Sequence, residues 1–310
     1  MCGKTEAGKL MQENERISRR RFIASSALGS AVGLTVPSLL KADGDSTLSD
    51  PWQMRLSTSS IHYLHLPIEQ ACQSIADLGF SAIDIWSAHA GCPHLDDVAN
   101  RLGTDGLKQL LKKTGLRLCS FSVYRGGYAR YAKLLGDVGG GVAVRGSSGP
   151  CKPSQTVARM REFLESLKPE IELAEKNDSY LAIENHGNAL LDSLDSFKAF
   201  VDLNKSARLG IALAPYHLQA LDASIEEAIS ICGRQLFYFY AWQRADGVKQ
   251  LPGHGPTDFG PWIAKLAETR YGGYVNPFMH GDIDTNAMSK ALAKSRAYLM
   301  QCRENERKSR

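Results

Sequence analysis

The sequence predicts a (β/α)8 barrel over residues 53–310, and two observations lead to this fold class. From residue 53 onward, short apolar runs rich in β-forming residues alternate with longer stretches of helical period. The strand-like runs, such as LGIAL and LFYFYAW, are almost continuously apolar, as expected when both faces of a parallel sheet are buried. A doubly wound open sheet is the alternative, because a single sequence does not show whether the sheet closes.

Eight strands are predicted, each an apolar run bounded by polar or turn-forming residues. They cover residues 54–59, 82–86, 116–124, 142–145, 180–184, 209–213, 236–242 and 274–278. The count of eight βα units in about 250 residues is the one typical of a (β/α)8 barrel.

Helices are predicted between the strands from apolar residues recurring at steps of three and four. They cover residues 67–78, 105–114, 128–135, 154–177, 193–204, 224–232, 258–269 and a final amphipathic stretch, 284–303. Ser224 and Glu227 have the spacing of a capping box, which marks the start of one of these helices.

Residues 1–42 are predicted to be an export signal, with residues 43–52 as a linker. The run SRRRFI at 18–23 has paired arginines before a large apolar residue, which is the twin-arginine pattern. The stretch 22–40 that follows is diluted by Ser and Gly, so it is a poor transmembrane span. The prediction is therefore a periplasmic protein without a membrane partner after signal removal; an ordinary amphipathic helix is the alternative.

The charge of the chain is unevenly distributed. Of the 37 basic and 33 acidic residues, seven basic and three acidic ones lie in residues 1–42, which leaves 30 of each in the remainder. A body of zero formal charge has no overall field to attract a phosphate backbone. Nucleic acid is therefore excluded as an expected partner, and a small neutral ligand is favoured.

Polar and aromatic residues concentrate where the predicted strands end. In a barrel of this class the working residues lie at the C-terminal ends of the strands. The residues found there are Ser59, Ser60, His62, His65, Asp84, Trp86, His89, Tyr124, Arg125, Glu184, His186, His217, Tyr240, Trp242 and His280. This concentration predicts a polar pocket at that end of the barrel.

Five stretches make the chain resemble the xylose-isomerase-like TIM barrels, the sugar isomerase/epimerase group that also includes apurinic endonuclease IV. They are GFSAIDIWSAH (79–89), YLAIENHGN (180–188), LGIALAPYHL (209–218), LPGHGPTDFGPWIAKL (251–266) and YGGYVNPFMHG (271–281). The resemblance extends over nearly all of residues 54–300 and implies an enzyme that acts on a small carbohydrate.

The resemblance also implies a metal site that this sequence only partly retains. The family usually holds a divalent metal with Glu on strand five, Asp on strand six, His on strand seven and Glu on strand eight. Glu184 matches the first of these, whereas Ala214 and Tyr240 stand where the second and third are expected. For the fourth, the stretch Val275-Asn276-Pro277-Phe278 offers no carboxylate. A standard epimerisation with two carboxylates is therefore in doubt, and Glu184 is the candidate catalytic base.

Two alternatives remain for the cofactor. Glu184, His217 and His280 are candidate ligands of a rebuilt site for a divalent ion such as Mn²⁺, Zn²⁺ or Mg²⁺. In the other alternative the pocket is metal-free, and the histidines bind sugar hydroxyls directly or have a structural role.

Six residues are candidates for binding the sugar. They are Asp84, Trp86, His186, Tyr240, Trp242 and Asn276. For Asp84 the alternative is a hydrogen-bonding role in the core. The aromatic residues on the strands have a packing role as their alternative.

The leading functional hypothesis is an exported sugar isomerase or epimerase that removes a proton next to a sugar carbonyl, with a sugar lyase as a variant of that chemistry. A free or oxidised sugar is expected, since phosphorylated metabolites are scarce outside the cytoplasm and the sequence has no phosphate-binding motif. The alternative is a metal-free periplasmic sugar-binding protein. A DNA repair enzyme of the endonuclease IV type is opposed by the neutral body. The oligomeric state stays open.

Overall fold

The strands of the chain close into a barrel in simple chain order. The computed structural model describes residues 52–87 and 91–309, so the predicted signal at 1–42 and the linker up to residue 51 lie outside the described residues. Each strand pairs in parallel with the next, and the eighth pairs with the first. This closure confirms the (β/α)8 prediction and excludes the open sheet.

The strand positions follow the apolar runs closely. The strands are β1 (Arg55–Ser59), β2 (Ala82–Trp86), β3 (Arg117–Ser122), β4 (Val142–Gly146), β5 (Tyr180–Glu184), β6 (Leu209–Leu213), β7 (Leu236–Ala241) and β8 (Tyr274–Pro277). Every bound lies within two residues of the prediction, because burial on both faces demands an apolar run that begins and ends with the strand.

The main helices cover the outside of the barrel. They are α1 (Ile68–Asp77), α2 (Gly103–Thr114), α3 (Tyr128–Asp137), α4 (Thr156–Ser166), α5 (Lys168–Lys176), α6 (Leu194–Leu203), α7 (Ile225–Cys232), α8 (Gly260–Glu268) and α9 (Thr285–Ser309). Within the described ranges, no helix combines the length and apolar character that crossing a membrane requires.

The prediction of one continuous helix over residues 154–177 is wrong. The stretch 154–177 forms two helices, α4 and α5, which are separated at Leu167. Pro169 occupies the first turn of α5, where its missing N–H is not needed. In an uninterrupted helix the same proline would remove a hydrogen bond and clash with the preceding turn. The first helix therefore ends before Pro169, and a second helix begins.

Two apolar clusters divide the interior. The larger cluster packs the outer side of the strands against the helices. The second lies inside the barrel, where small residues such as Ala82, Ala182 and Ala212 are accompanied by aromatic residues of β7 and β8 such as Tyr238 and Tyr240. The small side chains on β2, β5 and β6 thus leave room inside the barrel for the large rings of β7.

The start of the described chain is fastened to the last helix. The Trp52 indole N–H donates to the carbonyl of Tyr271, 2.5 Å away. Arg303 of α9 donates to the carbonyl of Trp52, and its guanidinium lies 5.1 Å from the Trp52 ring centre in a cation–π contact. Trp52 precedes β1 and Tyr271 precedes β8, so these contacts lie where the barrel strands begin.

Candidate active site

Glu184 is the last residue of β5, and its carboxylate is held by a tyrosine. The side chain is only 8% exposed, and the Tyr124 hydroxyl donates to its Oε2 at 2.7 Å. Burial raises the pKa of Glu184 to about 7; the bond from Tyr124 opposes this rise, and the charge of Asp84 adds to it. Glu184 can thus take up or release a proton near neutral pH, as an acid–base group must.

Asp84, in the middle of β2, is fully buried and surrounded by donors. Its carboxylate accepts hydrogen bonds from Ser59 (2.8 Å), Ser120 (2.9 Å), Ser122 (3.0 Å) and the indole N–H of Trp86. Burial raises the pKa of Asp84 to about 6, and these hydrogen bonds oppose the rise. Of the two roles predicted for Asp84, this geometry is that of a core hydrogen-bonding partner rather than a direct sugar contact.

Three hydroxyl groups connect the two carboxylates. The Tyr124 hydroxyl, which donates to Glu184, lies 3.2 Å from the Tyr240 hydroxyl. The Tyr240 hydroxyl lies 3.3 Å from Ser122 Oγ, which donates to Asp84. We call Tyr124, Tyr240 and Ser122 the hydroxyl chain. Tyr240, a candidate sugar-binding residue, is buried within this chain.

Asn276 stands on β8, where the resemblance implies a carboxylate. It is fully buried, and its amide group donates to Ser59 Oγ at 2.9 Å and to the Tyr238 hydroxyl. Its Oδ1 has no hydrogen-bond partner among the described residues. Asn276 therefore joins the network of Asp84 through Ser59 and lies inside the barrel, without the accessibility that a sugar-binding residue needs.

Stacked rings form a second region, which we call the aromatic wall: Trp86, Tyr216, Trp242 and Phe278. Phe278 stacks on Trp86 with ring centres 5.2 Å apart, and it meets Trp242 edge-on at 5.2 Å. Tyr216 stacks on the other side at 4.3 Å from Trp242. Gln250 accepts the indole N–H of Trp242 at 2.8 Å, which orients the ring. The buried members Trp86 and Trp242 thus have packing and hydrogen-bonding partners within the protein.

The histidines lie beside this wall. His186 and His217 face each other with ring centres 4.0 Å apart, and both His217 and His280 lie edge-on to Trp242, at 5.2 and 5.0 Å. Burial lowers the pKa of His217 to about 3, with smaller contributions from His186 and His280. His217 is therefore neutral at physiological pH. Its Nε2 is buried without a hydrogen-bond partner in the part of the chain that the structure describes.

The described residues do not fit the divalent metal that the resemblance implies. Across residues 52–87 and 91–309, no three His, Cys, Asp or Glu side chains come together in a group that could hold a metal ion. The predicted trio of Glu184, His217 and His280 is thus not assembled as a ligand set. The physical reason is that both histidines pack against Trp242, whereas Glu184 is engaged by Tyr124.

Several contacts of the site are not predicted by the sequence patterns. Tyr124 is among the residues predicted at the strand ends, but its hydrogen bond to Glu184 has no signal in the sequence. Ser120 and Ser122 carried a usable signal, because residues two apart on a strand share a face, which here is the face of Asp84. Gln250 lies in the loop after β7, where no periodic signal exists. His89 lies outside the described residues.

Fold and site together define a (β/α)8 barrel with a buried carboxylate, Glu184, at the C-terminal end of β5. Residues 72–298 match the sequence family of xylose isomerase-like TIM barrels, and the chain belongs to that family. This confirms the resemblance. No curated protein sequence matches the chain significantly.

Solved structures share the fold at low identity. A 3-keto-D-glucoside 4-epimerase from E. coli is 17% identical, covers 79% of this chain and 100% of its own, and has a TM-score of 0.61. A D-psicose 3-epimerase with D-tagatose from Clostridium cellulolyticum is 16% identical, with coverage of 81% and 99% and a TM-score of 0.65. A sugar phosphate isomerase/epimerase from Parabacteroides distasonis is 13% identical, with coverage of 83% and 96% and a TM-score of 0.61. At such identities the likeness shows the fold alone.

Proposed function

We propose that the protein is an exported sugar isomerase or epimerase that removes a proton next to a sugar carbonyl, with Glu184 as the base. The observation that carries the proposal is the state of Glu184: a carboxylate at the C-terminal end of β5, held by Tyr124, with its pKa raised to about 7. A base with such a pKa combines a useful ionised fraction with strong proton affinity. The names of the similar structures support a sugar as the substrate.

The chemistry needs a base and groups that stabilise the enediolate. Glu184 would accept the proton from carbon, while the electron pair stays on the substrate as an enediolate. His217 is neutral, so an Nε2–H tautomer could donate to the oxygen that gains charge. The exposed His186 lies against His217 and would contact a sugar hydroxyl. No step is assigned to a metal, because the described residues do not fit one.

The decisive experiment is proton exchange by NMR in D₂O over common ketoses and aldoses. We expect one sugar to incorporate deuterium next to its carbonyl with the wild-type protein, and Glu184→Gln to slow this exchange by about 100-fold or more. Glu306→Gln is the matched control, since Glu306 of α9 is as buried as Glu184 and lies away from the site. Full exchange in Glu184→Gln would show that the base is another group.

The same screen separates the enzyme from a sugar-binding protein. Calorimetric binding of a sugar that never exchanges a carbon-bound proton would replace the enzyme proposal with the binding protein. Neither result depends on knowing the physiological substrate beforehand.

Export is tested separately. The paired arginines of residues 19–21 carry the export proposal. We expect the full chain to reach the periplasmic fraction of a bacterial host, and the Arg20→Lys/Arg21→Lys variant to stay in the cytoplasm. Cytoplasmic wild-type protein in a host with a working twin-arginine pathway would contradict the proposal.

A further inference from the structure

An unbroken series of hydrogen-bonding contacts links the carboxylates of Glu184 and Asp84. Along the hydroxyl chain the four successive contacts measure 2.7 Å (Glu184 to Tyr124), 3.2 Å (Tyr124 to Tyr240), 3.3 Å (Tyr240 to Ser122) and 3.0 Å (Ser122 to Asp84). Each contact is within hydrogen-bonding reach. Asp84 lies in the middle of β2 and Glu184 at the end of β5, so the hydroxyl chain connects the deeper carboxylate to the one at the end of the barrel.

The number of protons in the hydroxyl chain determines whether it can carry a proton between the two carboxylates. Three hydroxyls supply three protons for four contacts, so one contact lacks a proton when both carboxylates are ionised. One additional proton fills all four contacts in either of two ways. It can reside on Glu184, with every hydroxyl donating toward Asp84, or on Asp84, with every hydroxyl donating toward Glu184.

We propose that Glu184 and Asp84 share one proton through the hydroxyl chain, so that Asp84 stores the proton that Glu184 takes from the substrate. This proposal rests on the proposed function of Glu184 as the base. Asp84 does not touch the substrate, and its role is to hold the proton while Glu184 is regenerated. The carboxylate that cooperates with Glu184 in this proposal is on β2 and acts through the hydroxyl chain, whereas β8 carries Asn276.

The transfer balances in protons and charge. The carbon–hydrogen bond breaks, its electron pair stays on the substrate, and the proton bonds to Glu184. Four oxygen–hydrogen bonds then form and four break along the chain, which moves one proton from Glu184 to Asp84 and leaves Glu184 ionised. In the return step the proton moves back through Glu184 to the neighbouring carbon of the enediolate. A hydroxyl proton moves between the two enediolate oxygens, and the isomeric sugar is released.

The surroundings of Asp84 suit a store of this kind. Ser59, Ser120 and Trp86 donate to its carboxylate independently of the chain, so the ionised form stays solvated by the protein when the proton leaves. Two ionised carboxylates in one buried network repel each other, and an arriving proton relieves that repulsion for both.

Tyr240→Phe tests the chain without touching either carboxylate. It removes the central hydroxyl and keeps the ring that packs on Phe278. The matched control is Tyr128→Phe, which removes another buried tyrosine hydroxyl, bonded to Ser179 and away from the chain. Both variants should fold, since each loses only one hydroxyl.

The first readout needs no substrate. Infrared spectra of the folded protein at weakly acidic pH should contain a protonated carboxyl band that disappears in Asp84→Asn/Glu184→Gln. We expect Tyr240→Phe to shift this band, because the proton is then confined to one carboxyl, and Tyr128→Phe to leave it unchanged. Identical bands in the wild type and Tyr240→Phe would overturn the proposal.

The second readout uses the sugar found in the NMR screen. We expect Tyr240→Phe to lower kcat by about 10- to 100-fold and to leave KM within about twofold. In mixtures of H₂O and D₂O, the plot of rate against deuterium fraction should be curved for the wild type, since several protons move. The same plot should be linear for Tyr240→Phe. A kcat equal to that of Tyr128→Phe would overturn the proposal. If no sugar reacts, the proposed function fails and the infrared result decides the shared proton by itself.

Discussion

The hydroxyl chain and the aromatic wall occupy the same end of one barrel and are held together by different forces. The chain consists of directional hydrogen bonds between two carboxylates, whereas the wall consists of ring contacts that converge on Phe278. The two regions meet where the Tyr240 ring lies 5.2 Å from Phe278. From this difference we expect proton transfer, and hence turnover, to depend on the hydroxyl chain. We expect the free energy of unfolding to depend mainly on the aromatic wall.

The largest effect on stability is expected from Phe278→Ala. Phe278 is 2% exposed and contacts rings on several strands, so its removal leaves a cavity in the barrel. We expect a loss of about 3–5 kcal/mol in the free energy of unfolding, measured by urea denaturation. Met300→Ala, at a half-exposed position of α9, is the control and should stay within about 0.5 kcal/mol. A loss as small as that of the control would refute the stabilising role of the wall.

The free energy of unfolding should also depend on pH, because Glu184 takes up a proton more readily in the folded state. The pKa of Glu184 rises from 4.5 to about 7 on folding, so the folded state keeps a proton that the unfolded state releases. The resulting stabilisation is complete below about pH 4.5 and is lost as the pH rises through about 7, roughly 3 kcal/mol in total. Asp84 acts in the same direction.

The measurement is the free energy of unfolding between pH 4.5 and 8 in the wild type and in Glu184→Gln. We expect the decrease with rising pH to be markedly smaller in the variant. Turnover should rise over the same interval, since the base must be ionised. Equal slopes in both proteins would show that Glu184 does not titrate in this range.

A smaller effect is expected from Gln250→Ala. Gln250 accepts from the Trp242 indole and exchanges two hydrogen bonds with the backbone of His280. Its loss leaves buried polar groups without partners, which costs about 1–3 kcal/mol. Denaturation combined with Trp fluorescence measures this. Gln155→Ala, at an exposed position, should be neutral; equal values for both would contradict the orienting role.

The smallest effect is expected from metal removal. Because the described residues do not assemble three metal-ligating side chains, we expect dialysis against a chelator to change the exchange rate by less than about twofold. Elemental analysis before and after dialysis is the measurement. A stoichiometric divalent ion that disappears in His217→Ala would contradict this expectation.

The barrel was predictable because a strand that is buried on both faces must consist of a nearly continuous apolar run. The break at Leu167 was also encoded, by Pro169, but a strong helical period on both sides concealed it. In the site, Glu184 could be predicted from its position at the end of a strand. Its bond to Tyr124 could not, because 60 residues separate them and only the geometry of the closed barrel brings them together.

The contacts of Trp52 with Arg303 and Tyr271 have a practical consequence. They direct the chain into the barrel from the end opposite to Glu184. A tag joined directly to Trp52 would therefore attach at the end of the barrel opposite to Glu184. Immobilisation through such a tag would leave the Glu184 end of the barrel facing the solution.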